Sequence, residues 1–299
     1  MSVLSLHNIS KRFGAVQALA DVSFEVPPGS VFGILGPNGS GKTTLLGIVT
    51  DVLKADTGHF TLLGKTPDGG VRRQIGTLLE TPNFYHYLSG YKNLEIAAAI
   101  KERGKEDIPR VLELCGLTHR QHAAFKTYSL GMKQRLALAL VLLGNPDVLI
   151  LDEPTNGLDP SGIAEVRELV QHLAQTGKTI LLASHLLDEV EKVCTHVAIL
   201  RSGKLLVSGA VSEVISRNDY VEAGAADNQQ LLAVIQQYPG CTGAAIQGPV
   251  VRAMFATAPD AAAINSFCAR QGVWLQHLQV RKKSLETAFL EITNIPPAS

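Results

Sequence analysis

The chain has 299 residues, room for one large domain and a smaller one. Lys plus Arg number 27 and Asp plus Glu number 27, so no net field directs the chain to nucleic acid or to an acidic partner. Cys115, Cys194, Cys241 and Cys268 lack ligand spacing and read as reduced thiols of a cytoplasmic protein. The N-terminus has no apolar signal core, and no run approaches the ~18 apolar residues of a membrane span.

Val3 to Ile9 and Ala18 to Val26 alternate as strands, with Lys11 to Gly14 as the turn between them. Phe13, in that turn, is either core or a flat apolar face for a base. After the break Pro27-Pro28-Gly29-Ser30, Val31 to Leu35 is a buried strand. GPNGSGKTT, Gly36 to Thr44, then fits G-x-x-x-x-G-K-[ST] between a strand and a helix that starts near Thr44. Gly36, Gly39 and Gly41 let successive N–H groups turn inward towards phosphates. Lys42 is placed for the β- and γ-phosphates, and Thr43 for Mg²⁺. Val52 to Leu63 reads as two short strands around an Asp56-Thr57-Gly58 turn.

From Arg72 to Thr127 the texture changes to helices, Glu95 to Arg103 and Ile108 to Cys115, with Gly116 as a C-cap. The loop before them packs Tyr85, Tyr87 and Tyr91 together, which leaves an interface or a local lid open. His119 and His122, at i and i+3 of an expected helix, read as a solvated face rather than a metal site. Ser129 has the position of an N-cap before the apolar helix Leu136 to Leu143. Val148 to Leu151 is a second buried strand that delivers Asp152 to the sheet's C-terminal edge, where ligands bind in open α/β sheets. Asp152 suits Mg²⁺ and Glu153 suits the activation of a water. Ser161 to Thr176 is helical, and Thr179 to Ala183 is a third buried strand closed by Ser184-His185, a histidine placed for the γ-phosphate. Asp188 to Val193 is helical, and a hairpin turns at Ser202-Gly203. Beyond about residue 219 the order changes to βαββαβ with a trailing helix, the pattern of a ferredoxin-like domain. Arg281-Lys282-Lys283 reads as a solvated turn.

This ordered set resembles the ATP-binding subunit of ABC transporters, over roughly Val3 to Ser212. GPNGSGKTT is similar to the family's Walker A loop, YSLGMKQR to its signature motif, VLILDEP to Walker B with the catalytic glutamate, NGLD to the D-loop, and His185 to the switch histidine. The resemblance implies an α/β P-loop NTPase, residues 1–213, with an inserted helical subdomain at about 85–140 that docks on a membrane subunit. An α+β, ferredoxin-like accessory domain follows at 219–299. It implies that Gly36, Pro37, Asn38, Gly39, Ser40, Gly41, Lys42, Thr43 and Thr44 hold ATP, that Phe13 stacks on adenine, and that Asp159 of the D-loop borders the nucleotide. It implies catalytic roles for Glu153, His185 and Lys42, and a Mg²⁺ site made by Thr43, Asp152 and Glu80. Ser129 and Gly131 would close over the ATP of a second copy, so a homodimer is expected. A separate polytopic permease would complete a transporter at the inner face of the cell membrane, with no nucleic-acid partner.

Two departures stand out. Leu130 and Met132 replace a glycine and the glutamine of the usual Leu-Ser-Gly-Gly-Gln, while Ser129 and Gly131 remain. Glu80 stands where the family has its Q-loop glutamine, which resembles the ATPases of bacitracin-type and lantibiotic-immunity exporters, and implies export of a peptide antibiotic or drug. The competing readings are a soluble ABC-type ATPase with a non-transport partner, and a C-terminal domain that senses a small molecule.

Overall fold

The structure, a computed structural model, describes residues 2–79, 83–215, 220–257, 259–281 and 284–293. The chain divides into two compact units, Met1–Val211 and Ser212–Ser299. The first opens with the hairpin β1 (Leu4–Phe13) and β2 (Val16–Val26), followed by β3 (Val31–Leu35), α1 (Lys42–Val49) and β4 (Thr57–Leu62). Next come α2 (Gly69–Arg72), β5 (Ile75–Leu78) and the helices α3 (Gly90–Lys101), α4 (Ile108–Leu114) and α5 (Leu130–Leu142). The unit finishes with β6 (Val148–Asp152), α6 (Pro160–Gln175), β7 (Thr179–Ser184), α7 (Leu187–Val193), β8 (His196–Arg201) and β9 (Lys204–Ala210).

Strands covered on both faces must be apolar throughout, and β3, β6 and β7 are buried at every residue. They form the middle of a six-stranded sheet ordered β5-β6-β7-β3-β8-β9. All neighbours in it are parallel except β9, which returns antiparallel on β8 through Ser202 and Gly203, both at positive φ. β2, β1 and β4 make a separate antiparallel sheet. Leu4, Leu6, Val22 and Val26 from this sheet share a core with Leu45, Leu46 and Ile48 of α1 and Ile34, Ile150 and Leu181 of the large sheet.

Three sequence expectations shift. Lys11 to Phe13 remain in β1, paired as Lys11–Leu19, Arg12–Gln17 and Phe13–Val16, so the turn shrinks to Gly14 and Ala15. Gly58 lies within β4, opposite a bulge between His7 and Ser10 of β1, rather than in a turn. Its φ is +88°, and a Cβ there would lie 2.3 Å from the Asn8 carbonyl oxygen across the pair with β1. His119 lies in a single 3₁₀ turn, Thr118–Arg120, and His122 lies beyond it, its ring tilted against Tyr91 with centroids 5.9 Å apart. Among the described residues no group of His, Cys, Asp or Glu is arranged to hold a metal by itself. No described helix is long and apolar enough to cross a membrane.

α8 (Val211–Val214) spans the boundary between the units. The second unit holds β10 (Tyr220–Ala225), α9 (Asn228–Ile235), β11 (Cys241–Gln247), β12 (Val250–Phe255), α10 (Ala261–Arg270), β13 (Leu275–Arg281) and α11 (Leu285–Thr293). The sheet order is β11-β12-β10-β13, every pairing antiparallel. Both β–α steps end the same way. Asp227 Oδ1 accepts from the amides of Gln229 and Gln230, and Asp260 Oδ1 from those of Ala262 and Ala263. Leu231, Ile235, Ile264 and Cys268 of these helices bury against Val221, Val251 and Phe255 of the sheet.

Candidate nucleotide site

Parallel register places the chemistry. Leu35 at the end of β3 pairs with Ser184 of β7, and Asp152 at the end of β6 pairs with Ala183 of β7. Residues 36–44, His185 and the Asp152-Glu153 pair therefore leave the same edge of the sheet from three adjacent strands. Neighbouring strands lie about 4.8 Å apart, so the groups converge within roughly 10 Å.

The loop after β3 takes positive φ at Gly36, Gly39 and Gly41. Gly41 is the N-cap of α1 at φ +108°, and a Cβ there would lie 2.6 Å from the Ala18 carbonyl oxygen and 2.8 Å from Leu19 Cδ2. The loop is braced from the other side, where Gly203 N donates to Ser40 O and Ala20 N donates to Gly203 O. Lys42 is buried, and its Nζ donates to Gly36 O at 2.8 Å and Pro37 O at 3.4 Å. An ammonium buried against two carbonyl oxygens is stabilised further by an anion in the loop. Ser40 Oγ is buried with no hydrogen-bond partner among the described residues, a further group that a polar ligand or water can satisfy. α1 begins at Lys42, earlier than the periodicity places it, so its free N-terminal amides face the same space.

Asp152 is buried, whereas Thr43 is exposed. Glu153 has φ +47°, an unfavourable conformation for a residue with a Cβ, of the order of 1–3 kcal/mol. Its amide donates to Ala183 O at 3.0 Å and its carbonyl accepts from Asn156 N at 3.1 Å. Its carboxylate Oε2 lies 2.8 Å from His185 Nδ1. The next carbonyl, Pro154 O, accepts a 2.6 Å bond from Gln134 Nε2 on α5.

Ser129 is the N-cap of α5, its Oγ accepting from Met132 N at 3.3 Å. With Leu130 and Gly131 it lines one depression together with Gly157, Leu158 and Asp159. Asp159 caps α6, accepting from Gly162 N at 2.9 Å. Phe13 is 47 % exposed, with Lys11 Nζ 5.5 Å from its ring centroid. The residues lining that depression include none of residues 36–44 and not Glu153, and Phe13 stands at the tip of the β1–β2 hairpin. Glu80, with Thr81 and Pro82, lies outside the described residues.

Two contacts lack a local sequence signal. Gln134 reaches Pro154 across twenty positions of the chain. Asn93, buried in α3, pins the tyrosine loop by accepting from Tyr85 N and donating to Tyr85 O and Ser89 O. Tyr85 and Tyr87 themselves stay exposed, while Phe84 packs inward on Phe125.

Residues 19–156 match the ABC transporter family model. The chain is 39% identical over 298 residues to YhcH of Bacillus subtilis (strain 168), an uncharacterized ABC transporter ATP-binding protein, covering 98% of this chain and 96% of that one. This chain belongs to the ABC transporter ATP-binding proteins. As a member of that family it is an ATPase, the ATP-binding subunit of an ABC transporter. It is also 31% identical to the bacitracin transport ATP-binding protein BcrA of Enterococcus faecalis, over 97% of this chain and 96% of the relative. With the lantibiotic transport ATP-binding protein SrtF of Streptococcus pyogenes it shares 36% identity over 69% of this chain and 90% of that one. Among solved structures, an ABC transporter cassette in its ADP conformation superposes with a TM-score of 0.65 at 27% identity, over 70% of this chain and 91% of the cassette. A Clostridium perfringens cassette described as part of the ABC transporter complex cbiONQ also gives 0.65 at 27% identity, over 80% and 96%. Both matches establish the α/β ABC ATPase fold.

Proposed function

We propose that this ABC ATPase binds Mg-ATP between two copies of the chain and drives export of a peptide antibiotic or drug by a separate membrane permease. The observation that carries the reading is the convergence of residues 36–44, Asp152, Glu153 and His185 at one sheet edge, while Ser129 and Gly131 line a depression that includes none of them. A signature motif that does not line the phosphate site of its own chain is open to a nucleotide held by another. Gly36, Asn38, Gly39, Ser40, Gly41, Thr43 and Thr44 wrap the phosphates with amides and hydroxyls, Pro37 shapes the turn of the loop, and Lys42 neutralises the β- and γ-phosphates. Thr43 and Asp152 offer a hard cation oxygen ligands, which fits Mg²⁺, and Glu80 would add a third. The ion, when bound, neutralises charge on the β- and γ-phosphate oxygens.

Glu153 takes the proton of the attacking water. His185, 2.8 Å from that carboxylate, orients it and contacts the γ-phosphate as the site closes. Phe13 stacks on adenine from its exposed hairpin tip, and Asp159 borders the dimer interface. The antibiotic substrate class rests on BcrA and SrtF, which are named for bacitracin and lantibiotic transport. The permease partner rests on the family and on the cbiONQ cassette, and docks on a helical subdomain at about 85–140 through the exposed Tyr85 and Tyr87. Both require a place on the inner face of the cell membrane. We assign residues 1–213 to the ATPase domain and 219–299 to an accessory domain. Its β-strand order and antiparallel pairing support a ferredoxin-like fold.

Mixing two inactive variants tests the shared site. Lys42→Ala destroys the phosphate side and Ser129→Arg the signature side. A mixed dimer retains one intact site, so mixing restores ATP turnover; a mixture as inactive as either variant alone would contradict a site built from two chains.

A further inference from the structure

We propose that Gln134 is a positioning residue for Glu153, linking the signature helix to the catalytic carboxylate through the carbonyl of Pro154. The proposal rests on the reading of Glu153 as the base.

Glu153 is held in a conformation it would not choose. Its φ is +47°, and such residues persist only where their surroundings over-determine them. Three contacts fix the local backbone. Glu153 N is tied to Ala183 O of β7, Glu153 O is tied to Asn156 N within its own turn, and Pro154 O is tied to Gln134 Nε2. The first two belong to the sheet and the turn. Only the third, among these, comes from the helical segment, and at 2.6 Å it is the shortest of the three. A carbonyl can only accept, so the side-chain amide must present its NH₂ group there.

Gln134 stands in the second turn of the helix that Ser129 caps. Ser129 and Gln134 are five residues apart, about 7.5 Å along the axis, on one rigid element. A displacement of α5 on meeting the γ-phosphate therefore moves the Pro154 carbonyl and rotates the strained residue before it. The carboxylate of that residue is the one held against His185. One hydrogen bond thus carries the state of the signature helix to the base, with no residue of the helix needed at the attacking water.

Steady-state ATP hydrolysis by the full chain tests this. Gln134→Leu keeps the bulk and removes the donor. Losing one neutral hydrogen bond at such a point lowers kcat about three- to tenfold, with KM for ATP and ADP affinity within about twofold of native. Gln134→Glu supplies the pH readout. Its carboxylate repels the Pro154 carbonyl, whereas its protonated form donates to it, so activity relative to the native chain rises as pH falls from 8 to 5.5. In a Glu153→Gln background, adding Gln134→Leu costs nothing further in single-turnover hydrolysis. A kcat within twofold of native in Gln134→Leu overturns the proposal. So does an additive loss in the double variant, or a flat pH ratio in Gln134→Glu. Native turnover in Glu153→Gln alone would instead remove the base assignment; an inactive Glu153→Gln with a fully active Gln134→Leu removes only the present inference.

Discussion

Two glycines of the phosphate loop invite a matched comparison, Gly39→Ala against Gly41→Ala. Both have positive φ, +77° and +108°. At Gly39 a Cβ meets nothing within 4 Å, so alanine pays only the left-handed backbone penalty, about 1–2 kcal/mol. At Gly41 the backbone lies further from any region open to an L-residue, and the Cβ would sit 2.6 Å from the Ala18 carbonyl oxygen and 2.8 Å from Leu19 Cδ2. The backbone atom belongs to β2 and cannot yield as a flexible side chain would. Overpacking of this kind adds about 1–3 kcal/mol. The cost divides between folding stability, if the loop stays in place, and nucleotide affinity, if the loop relaxes and must be re-formed on binding. The two are therefore measured together, by denaturant unfolding without ligand and by ADP titration. Their combined loss should be about 1–2 kcal/mol for Gly39→Ala and about 2–5 kcal/mol for Gly41→Ala, the added ~1–3 kcal/mol amounting to at least about a fivefold separation when expressed as an equilibrium constant. Equal losses in the two variants would show that the contact with β2 does not shape the loop.

Burial lowers Lys101 to about 8 from 10.5, with Arg103 adding to the shift, while its Nζ donates to Leu140 O. Between those values the unfolded chain binds more protons, so the cost of the buried ammonium is fully present below about pH 8 and fades as pH rises towards 10.5. Lys101→Met should raise stability at pH 7 by about 1–2 kcal/mol and lose most of that gain by about pH 10, read from denaturant midpoints; a gain independent of pH would refute the electrostatic origin. Burial also pushes the Cys115 thiol up to about 12 and the Cys194 thiol higher still. Both should resist alkylation by iodoacetamide at pH 8 in the folded chain and react once it is unfolded, as mass spectrometry of the labelled peptides can show.

The central strands were legible because burial on both faces leaves an unbroken apolar run. Val31 to Leu35 falls at its observed bounds for that reason, and Val148 to Leu151 extends by one residue, to Asp152. Helix starts were harder to read. The first turns of α5, Leu130 to Arg135, are exposed or half-buried and mix apolar with polar side chains, so the buried apolar run begins only at Leu136. The glycine signal at Gly58 was ambiguous in another way, since a positive-φ glycine serves in a turn or opposite a bulged strand and only the partner strand distinguishes them. Of the site, the spacing of residues 36–44 and the acidic end of β6 were visible in the sequence. The partnership of Glu153 with His185 depends on β6 and β7 being neighbours, and the bond from Gln134 to Pro154 depends on α5 lying over that edge. Neither follows from local composition.

The shared-site model stands or falls on association. Glu153→Gln should retain ATP and lose turnover, so size-exclusion chromatography with light scattering should give a dimer in ATP and a monomer in ADP. A Glu153→Gln chain that binds ATP yet remains monomeric at concentrations well above its ATP dissociation constant would contradict it.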